Sequence, residues 1–151
     1  GGFKSERTLP NAVSFGARVV SKDDSVRMEL WIRNGSQQTL TGLRVQNCVM
    51  LAAAKGFSQR VTENKRLSSP YVACRNAAGD RWIITAWEEC QRPWANRDCP
   101  CMHSDPKFPD CAPGQTQRLR GWLSFYEGTE IEAELKRIER TGWLTGRRSS
   151  R

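Results

Sequence analysis

Apolar and polar residues alternate from position 26 to 33: Val26, Met28, Leu30 and Ile32 fall on one side, Arg27, Glu29, Trp31 and Arg33 on the other. A period of two puts the sets on opposite faces of an extended chain, so the segment predicts a half-buried β-strand. Residues 34–39 supply a polar turn, and Asn34-Gly35-Ser36, formally a glycosylation sequon, reads more readily as part of that turn. A second strand is predicted over about 43–51, with Leu43, Val45, Val49 and Leu51 opposing Arg44, Gln46, Cys48 and Met50. Segments 71–75 and 81–87 flank Ala77-Ala78-Gly79-Asp80 as a hairpin. Strand character returns over 118–126, where Leu119, Leu123 and Phe125 oppose Arg118, Arg120, Trp122, Ser124 and Tyr126.

The period changes near the end of the chain. Ile131, Leu135 and Ile138 form an i, i+4, i+7 stripe, Thr129 and Glu132 have capping-box spacing, and Gly142 can stop the turn, so a C-terminal α-helix is predicted. Acids at Glu130, Glu132 and Glu134 precede Lys136, Arg137 and Arg140, which complements the helix dipole. Residues 1–15 have few apolar anchors and read as a flexible N-terminal arm, 16–144 as a single domain, and 145–151 as a flexible tail. Between 88 and 114 neither period holds. That stretch carries five of the seven prolines, four of the six cysteines and the only histidine, and reads as a long loop that is functional or covalently tied down.

Short alternating strands with one terminal helix imply a mainly β fold, an antiparallel β-sandwich with a long Cys/Pro-rich loop. The stretch Val26-Arg-Met-Glu-Leu-Trp-Ile-Arg-Asn34, followed by Leu40 and Leu43-Arg-Val45, resembles the strand, Asn-turn, strand pattern of immunoglobulin-like extracellular accessory modules. The resemblance implies an Ig-like sandwich in an exported setting, and it carries over no functional residue.

Composition narrows the class further. With 151 residues, 38% hydrophobic and 26% charged, and a mean hydropathy of −0.65, the chain is globular with a modest core. Its longest apolar run, residues 49–54, is far short of the roughly 20 residues a spanning helix needs. The net charge of +8 comes from 24 basic residues, 18 of them Arg, against 16 acidic ones. The cations are dispersed and no nucleic-acid motif accompanies them, which argues against nucleic acid as the partner and leaves another anionic partner, such as an anionic glycan, open. Six cysteines suit three disulfides and an oxidising, extracytoplasmic compartment, whether secreted, periplasmic or cell-surface. A start at Gly-Gly-Phe reads as a mature product or as part of a larger exported protein.

Candidate chemistry concentrates in the loop. Cys99, Cys101, His103 and Cys111 are the donor set of a Cys3His zinc site, although the single residue between Cys99 and Cys101 is shorter than standard knuckles use. Copper(I) would accept Cys, Met102 and His103. The favoured alternative pairs Cys99, Cys101 and Cys111 with Cys48, Cys74 and Cys90 as disulfides, with no cofactor. His103, Asp105, Glu88, Glu89 and Asp110 are candidate acid and base groups for a small secreted hydrolase or metal-dependent enzyme. Trp31, Arg33, Trp94, Arg120, Trp122 and Tyr126 are the candidate ligand-binding residues, since exposed aromatic rings stack on sugars and Arg binds hydroxyl or anionic groups. The expected function is therefore an exported binding or accessory module for carbohydrate, with the loop enzyme as the alternative.

Overall fold

The structure, a computed structural model, describes residues 1–145. In chain order it contains β1 (Gly2–Thr8), β2 (Val13–Ser21), β3 (Val26–Asn34), β4 (Cys48–Met50), β5 (Lys65–Leu67), β6 (Tyr71–Arg75), β7 (Arg81–Trp87), β8 (Cys90–Trp94), β9 (Cys101–Pro106), β10 (Thr116–Glu127) and helix α1 (Ile131–Arg140). Seven strands form one antiparallel sheet in the order β1-β2-β3-β10-β7-β6-β5, and three form a second in the order β4-β9-β8. The fold is mainly β with a C-terminal helix. Among the described residues no helix is long and apolar enough to cross a membrane.

Alternation decides which face each layer covers. Met28, Leu30 and Ile32 of β3 and Leu119 of β10 pack with Val13, Trp87 and Phe108 beneath the 40–45 segment. Further along, Leu51, Phe57 and Met102 meet Val72, Cys74 and Ile83, which joins the small sheet to the same face of the large one. On the opposite face Leu135 and Ile138 of α1, with Trp143, seat on Tyr71, Ala73, Trp82, Ile84, Ala86 and Trp122. The helical stripe thus finds its partner on β6, β7 and β10 alone, and β1 to β3 are left without a helix above them.

Several expectations are corrected. The arm over residues 1–15 is strand β1 and the start of β2, paired from Gly2↔Val20 to Thr8↔Ser14. Every residue of β1 is exposed at a sheet edge, so burial imprints no pattern on it. The strand at 43–51 reduces to Cys48–Met50 plus the isolated bridge Arg44↔Lys107, although Leu43, Val45, Val49 and Leu51 do pack inwards. The long loop contains β8 and β9. The capping box does not form: Glu130 is the N-cap without a side-chain bond, and the Thr129 hydroxyl donates to Glu130 instead. Gly142, at φ +68°, does take the left-handed turn that ends the helix. Apart from Thr145, the expected 145–151 tail lies outside the described residues.

The turn after β3 is built by Asn34, which is fully buried. Its Nδ2 donates to the carbonyls of Gln38 and Cys111 at 2.7 and 2.8 Å, and its Oδ1 accepts from the Ser36 amide and hydroxyl. That occupied amide cannot also serve as a glycan acceptor. Asn34→Ala leaves buried polar groups without partners and is expected to cost about 1–3 kcal/mol, read from urea unfolding. A loss near zero would mean that water replaces the side chain.

Candidate metal centre

Strand β9 carries Cys101, His103 and Asp105 on one face and Met102, Ser104 and Pro106 on the other, because successive side chains alternate. All six residues are buried, since both faces of this central strand are covered. Met102 therefore points into the core with Leu51 and Phe57. The copper set built on Met102 is contradicted by this alternation, which aims its sulfur away from His103.

Register brings in a residue from far along the chain. Cys48 of β4 pairs with His103 and Met50 with Cys101, which places Cys48 beside both β9 donors. The Sγ atoms of Cys48 and Cys101 and a ring nitrogen of His103 all lie within 4.8 Å of one another. Cys101 Sγ is 3.3 Å from His103 Nε2 and 3.2 Å from Cys99 Sγ. Zinc with bonds of about 2.3 Å to sulfur and 2.0 Å to nitrogen has tetrahedral edges of roughly 3.5–3.8 Å, so the spacings around Cys101 approach those of a zinc shell, with Cys99 next to Cys101 but outside the three-donor cluster.

Pro100 makes the unusual spacing workable. The Cys101 amide donates to the Cys99 carbonyl at 2.9 Å, a three-residue turn centred on Pro100. Proline's fixed φ suits an inverse γ-turn, and the turn folds the two thiols onto one side. The buried Pro100 carbonyl accepts from Leu51 just beyond β4, which ties the turn to the strand that brings Cys48.

A shell of polar groups orients the histidine. Asp105 Oδ1 lies 3.6 Å from His103 Nδ1, too far for a good hydrogen bond but facing it, and Nδ1 is buried without another partner. The same carboxylate accepts from the Asn47 amide at 2.8 Å, Trp94 Nε1 at 2.6 Å and Arg92 Nε at 3.2 Å. The Trp94 ring stacks on the imidazole with centroids 4.0 Å apart. A carboxylate behind the distal nitrogen is the usual support of a metal-ligating histidine, since it fixes the ring and leaves Nε2 to bind.

Ionisation follows from this packing. Burial pushes the His103 pKa down, against the pull of Asp105, which favours the neutral ring a metal requires. Burial raises the Cys48 thiol, and Cys101 and Cys99 raise it further. The Cys99 thiol is raised chiefly by its contact with Cys101. Crowded thiols resist becoming thiolates together unless a cation lies among them.

The structure separates other expected partners. All six cysteines are free thiols, so the expected disulfide framework is not formed. Cys111 does not reach the cluster: it bridges Leu40 and its Sγ donates to the Gln115 carbonyl. Cys48, expected only as a disulfide partner, takes its place, and only the β4–β9 register signals it. Cys74 is buried in the core beside Val72 and Ile83, and burial raises its pKa. Cys90 is buried as well, and its carbonyl accepts from Ser69.

Of the acid and base candidates only His103 and Asp105 meet. Glu88 pairs with Arg120 at 2.8 Å, Glu89 occupies an exposed turn at φ +52°, and Asp110 is exposed. The aromatic candidates also divide. Trp122 is fully buried beneath α1, Tyr126 packs against the same cluster, and Arg120 is held by Glu88 and the Leu144 carbonyl. Trp94 belongs to the thiol cluster, which leaves Trp31 and Arg33 together on β3.

No family model matches this sequence, and no curated protein matches it. Among solved structures the chain is similar to one described as a kojibiose phosphorylase from the human microbiome, at 6% identity and a TM-score of 0.60, covering 95% of this chain and 21% of that one. It is also similar to the Slr1438 protein of Synechocystis sp. PCC 6803, at 10% identity and a TM-score of 0.51, covering 83% of this chain and 61% of that one. The chain thus spans less than two thirds of either, and at these identities the likeness is one of fold.

Proposed function

We propose that this chain is a zinc-clasped β-sandwich module of the binding or accessory kind, in which Cys48, Cys99, Cys101 and His103 hold one structural zinc ion. The observation that carries the reading is the convergence of the Cys48 and Cys101 thiols and the buried His103 imidazole within 4.8 Å, backed by Asp105, with the Cys99 thiol 3.2 Å from that of Cys101. Four protein donors close the coordination shell, as in structural sites, and leave no open position for substrate. The metal would do what disulfides were expected to do, pinning the small sheet together. The extracytoplasmic setting stays a proposal that rests on the cysteine count. Immunoglobulin-like kinship remains a proposal resting on β3 and the Asn34 turn.

A catalytic role for His103 and Asp105 is disfavoured by access: both are buried, and Trp94 covers the imidazole. Native mass spectrometry with elemental analysis tests the metal reading. One zinc per chain is expected, with three of the six thiols unreactive until a chelator is added. Asp105→Asn should weaken zinc binding about 10–100-fold while retaining stoichiometry. Metal-free protein that takes up no zinc on titration would refute the proposal.

A further inference from the structure

The face of the large sheet opposite the thiol cluster is open over β1, β2 and β3. There a cleft of about 640 Å³ is lined by Lys4, Arg18, Trp31, Arg33 and Arg118, with Glu6 and Glu29 as its carboxylates. Trp31 is partly exposed, and its bed is specific. It pairs across the sheet with Gly16, where a Cβ would collide with the Ser5 carbonyl of β1 and sit 2.5 Å from ring atom Cζ2 and 2.7 Å from Cε2. The indole therefore lies against bare backbone, which only glycine permits, and the Lys4 ammonium stands over its ring 6.0 Å from the centroid, where it can add to the contacts of an anionic ligand. Two of the cations are spent on neighbours: Arg118 on Glu29 at 2.7 Å and Lys4 on Glu6 at 2.9 Å. Arg18 and Arg33 have no ion-pair partner among the described residues, which leaves two guanidinium groups beside one aromatic platform.

We propose that this cleft binds an anionic saccharide, with a pyranose ring stacked on Trp31 and its carboxylate or sulfate held by Arg18 and Arg33. The C–H face of a sugar ring suits the electron-rich face of indole. Planar guanidinium groups pair bidentately with carboxylate and sulfate oxygens, and a net excess of two cations favours an acidic sugar over a neutral one. Single-stranded nucleic acid fits less well, because successive bases call for several aromatic platforms along a basic groove, and this cleft has one. The inference names the ligand class of the binding module proposed above, but it shares no residue with the zinc site.

Isothermal titration with three oligosaccharides tests it: an oligogalacturonate, a chondroitin sulfate hexasaccharide and neutral cellohexaose, with oligodeoxythymidylate as a fourth ligand. One site is expected for the carboxylated or the sulfated sugar, and which of the two binds more tightly identifies the anion. Cellohexaose should bind at least tenfold more weakly. Trp31→Ala and the charge-conserving Arg33→Lys should each weaken binding about tenfold, and Arg140→Gln, outside the cleft, should not. Arg33 is exposed, so that variant leaves the fold intact. No binding of either acidic sugar, binding undiminished by Trp31→Ala, or equal binding of oligodeoxythymidylate lost in the same variants would each overturn the proposal. Zinc content measured on the same preparations keeps a failure of this site distinct from a failure of the metal centre.

Discussion

Stripping the metal with a strong chelator, or replacing its imidazole ligand in His103→Ala, is expected to lower the melting temperature of this protein by about 10 °C. An ion bound only by the folded state at a thousandfold excess over its dissociation constant contributes about 4 kcal/mol. For a domain of this size each kcal/mol moves the midpoint about 2–4 °C. The loss should concentrate in the small sheet, because Cys48, Cys101 and His103 all belong to β4 and β9. Calorimetry of metal-loaded, chelated and variant protein reads the effect, with elemental analysis on each sample. Cys111→Ser is the control that separates sequence spacing from geometry: its thiol bonds the Gln115 carbonyl, so zinc content should stay at one equivalent. If Cys111→Ser lost the metal and Cys48→Ser kept it, the assignment of the fourth ligand would be wrong.

Trp122→Ala is expected to destabilise the fold by about 3–5 kcal/mol. Its side chain is fully buried under α1, 6.1 Å between ring centroids from Trp143, with the Arg27 guanidinium 3.7 Å above it and its Nε1 donating to Ser124 at 2.8 Å. Truncation removes the floor on which Leu135 and Ile138 sit and leaves the Ser124 hydroxyl without its donor. Trp31→Ala, on the neighbouring strand β3 along the same face and partly exposed, should cost within about 1 kcal/mol, as surface substitutions do. Denaturant unfolding of the two variants side by side separates a core tryptophan from a platform one. Equal losses would mean that Trp31 is also structural, and would remove the basis for a ligand stacked on it.

Those two tryptophans show how far alternation reaches. Period-two spacing puts Trp31 and Trp122 on the side opposite the aliphatic residues, and both do lie there. The pattern could not tell that α1 covers one and leaves the other open, since that depends on which strands neighbour β10. The strands at 26–33 and 118–126 and the terminal helix were legible because burial of one side writes a period into the sequence, whereas 71–75 and 81–87, buried on both faces, were marked by the turn residues between them. In β9 every residue is buried, and no period survives; in β1 every residue is exposed, with the same result.

The cysteines show the same division most sharply. Local sequence brings Cys99, Cys101 and His103 together, because a strand sets residues two apart on one face and Pro100 turns the first thiol inward. It also supplies Asp105 two residues further on. The choice of Cys48 over Cys111 was not local: it follows from the register of β4 on β9, fixed by packing Val49, Leu51 and Met102 into a core shared with the large sheet. Sequence by itself determined the mainly β class, the main strands, the helix and three of the four proposed ligands, since each depends on a repeat or spacing within a few residues. Tertiary structure alone decided the fourth ligand, the burial of Trp122 and the exposure of Trp31, because those depend on which surfaces exclude water when distant strands meet.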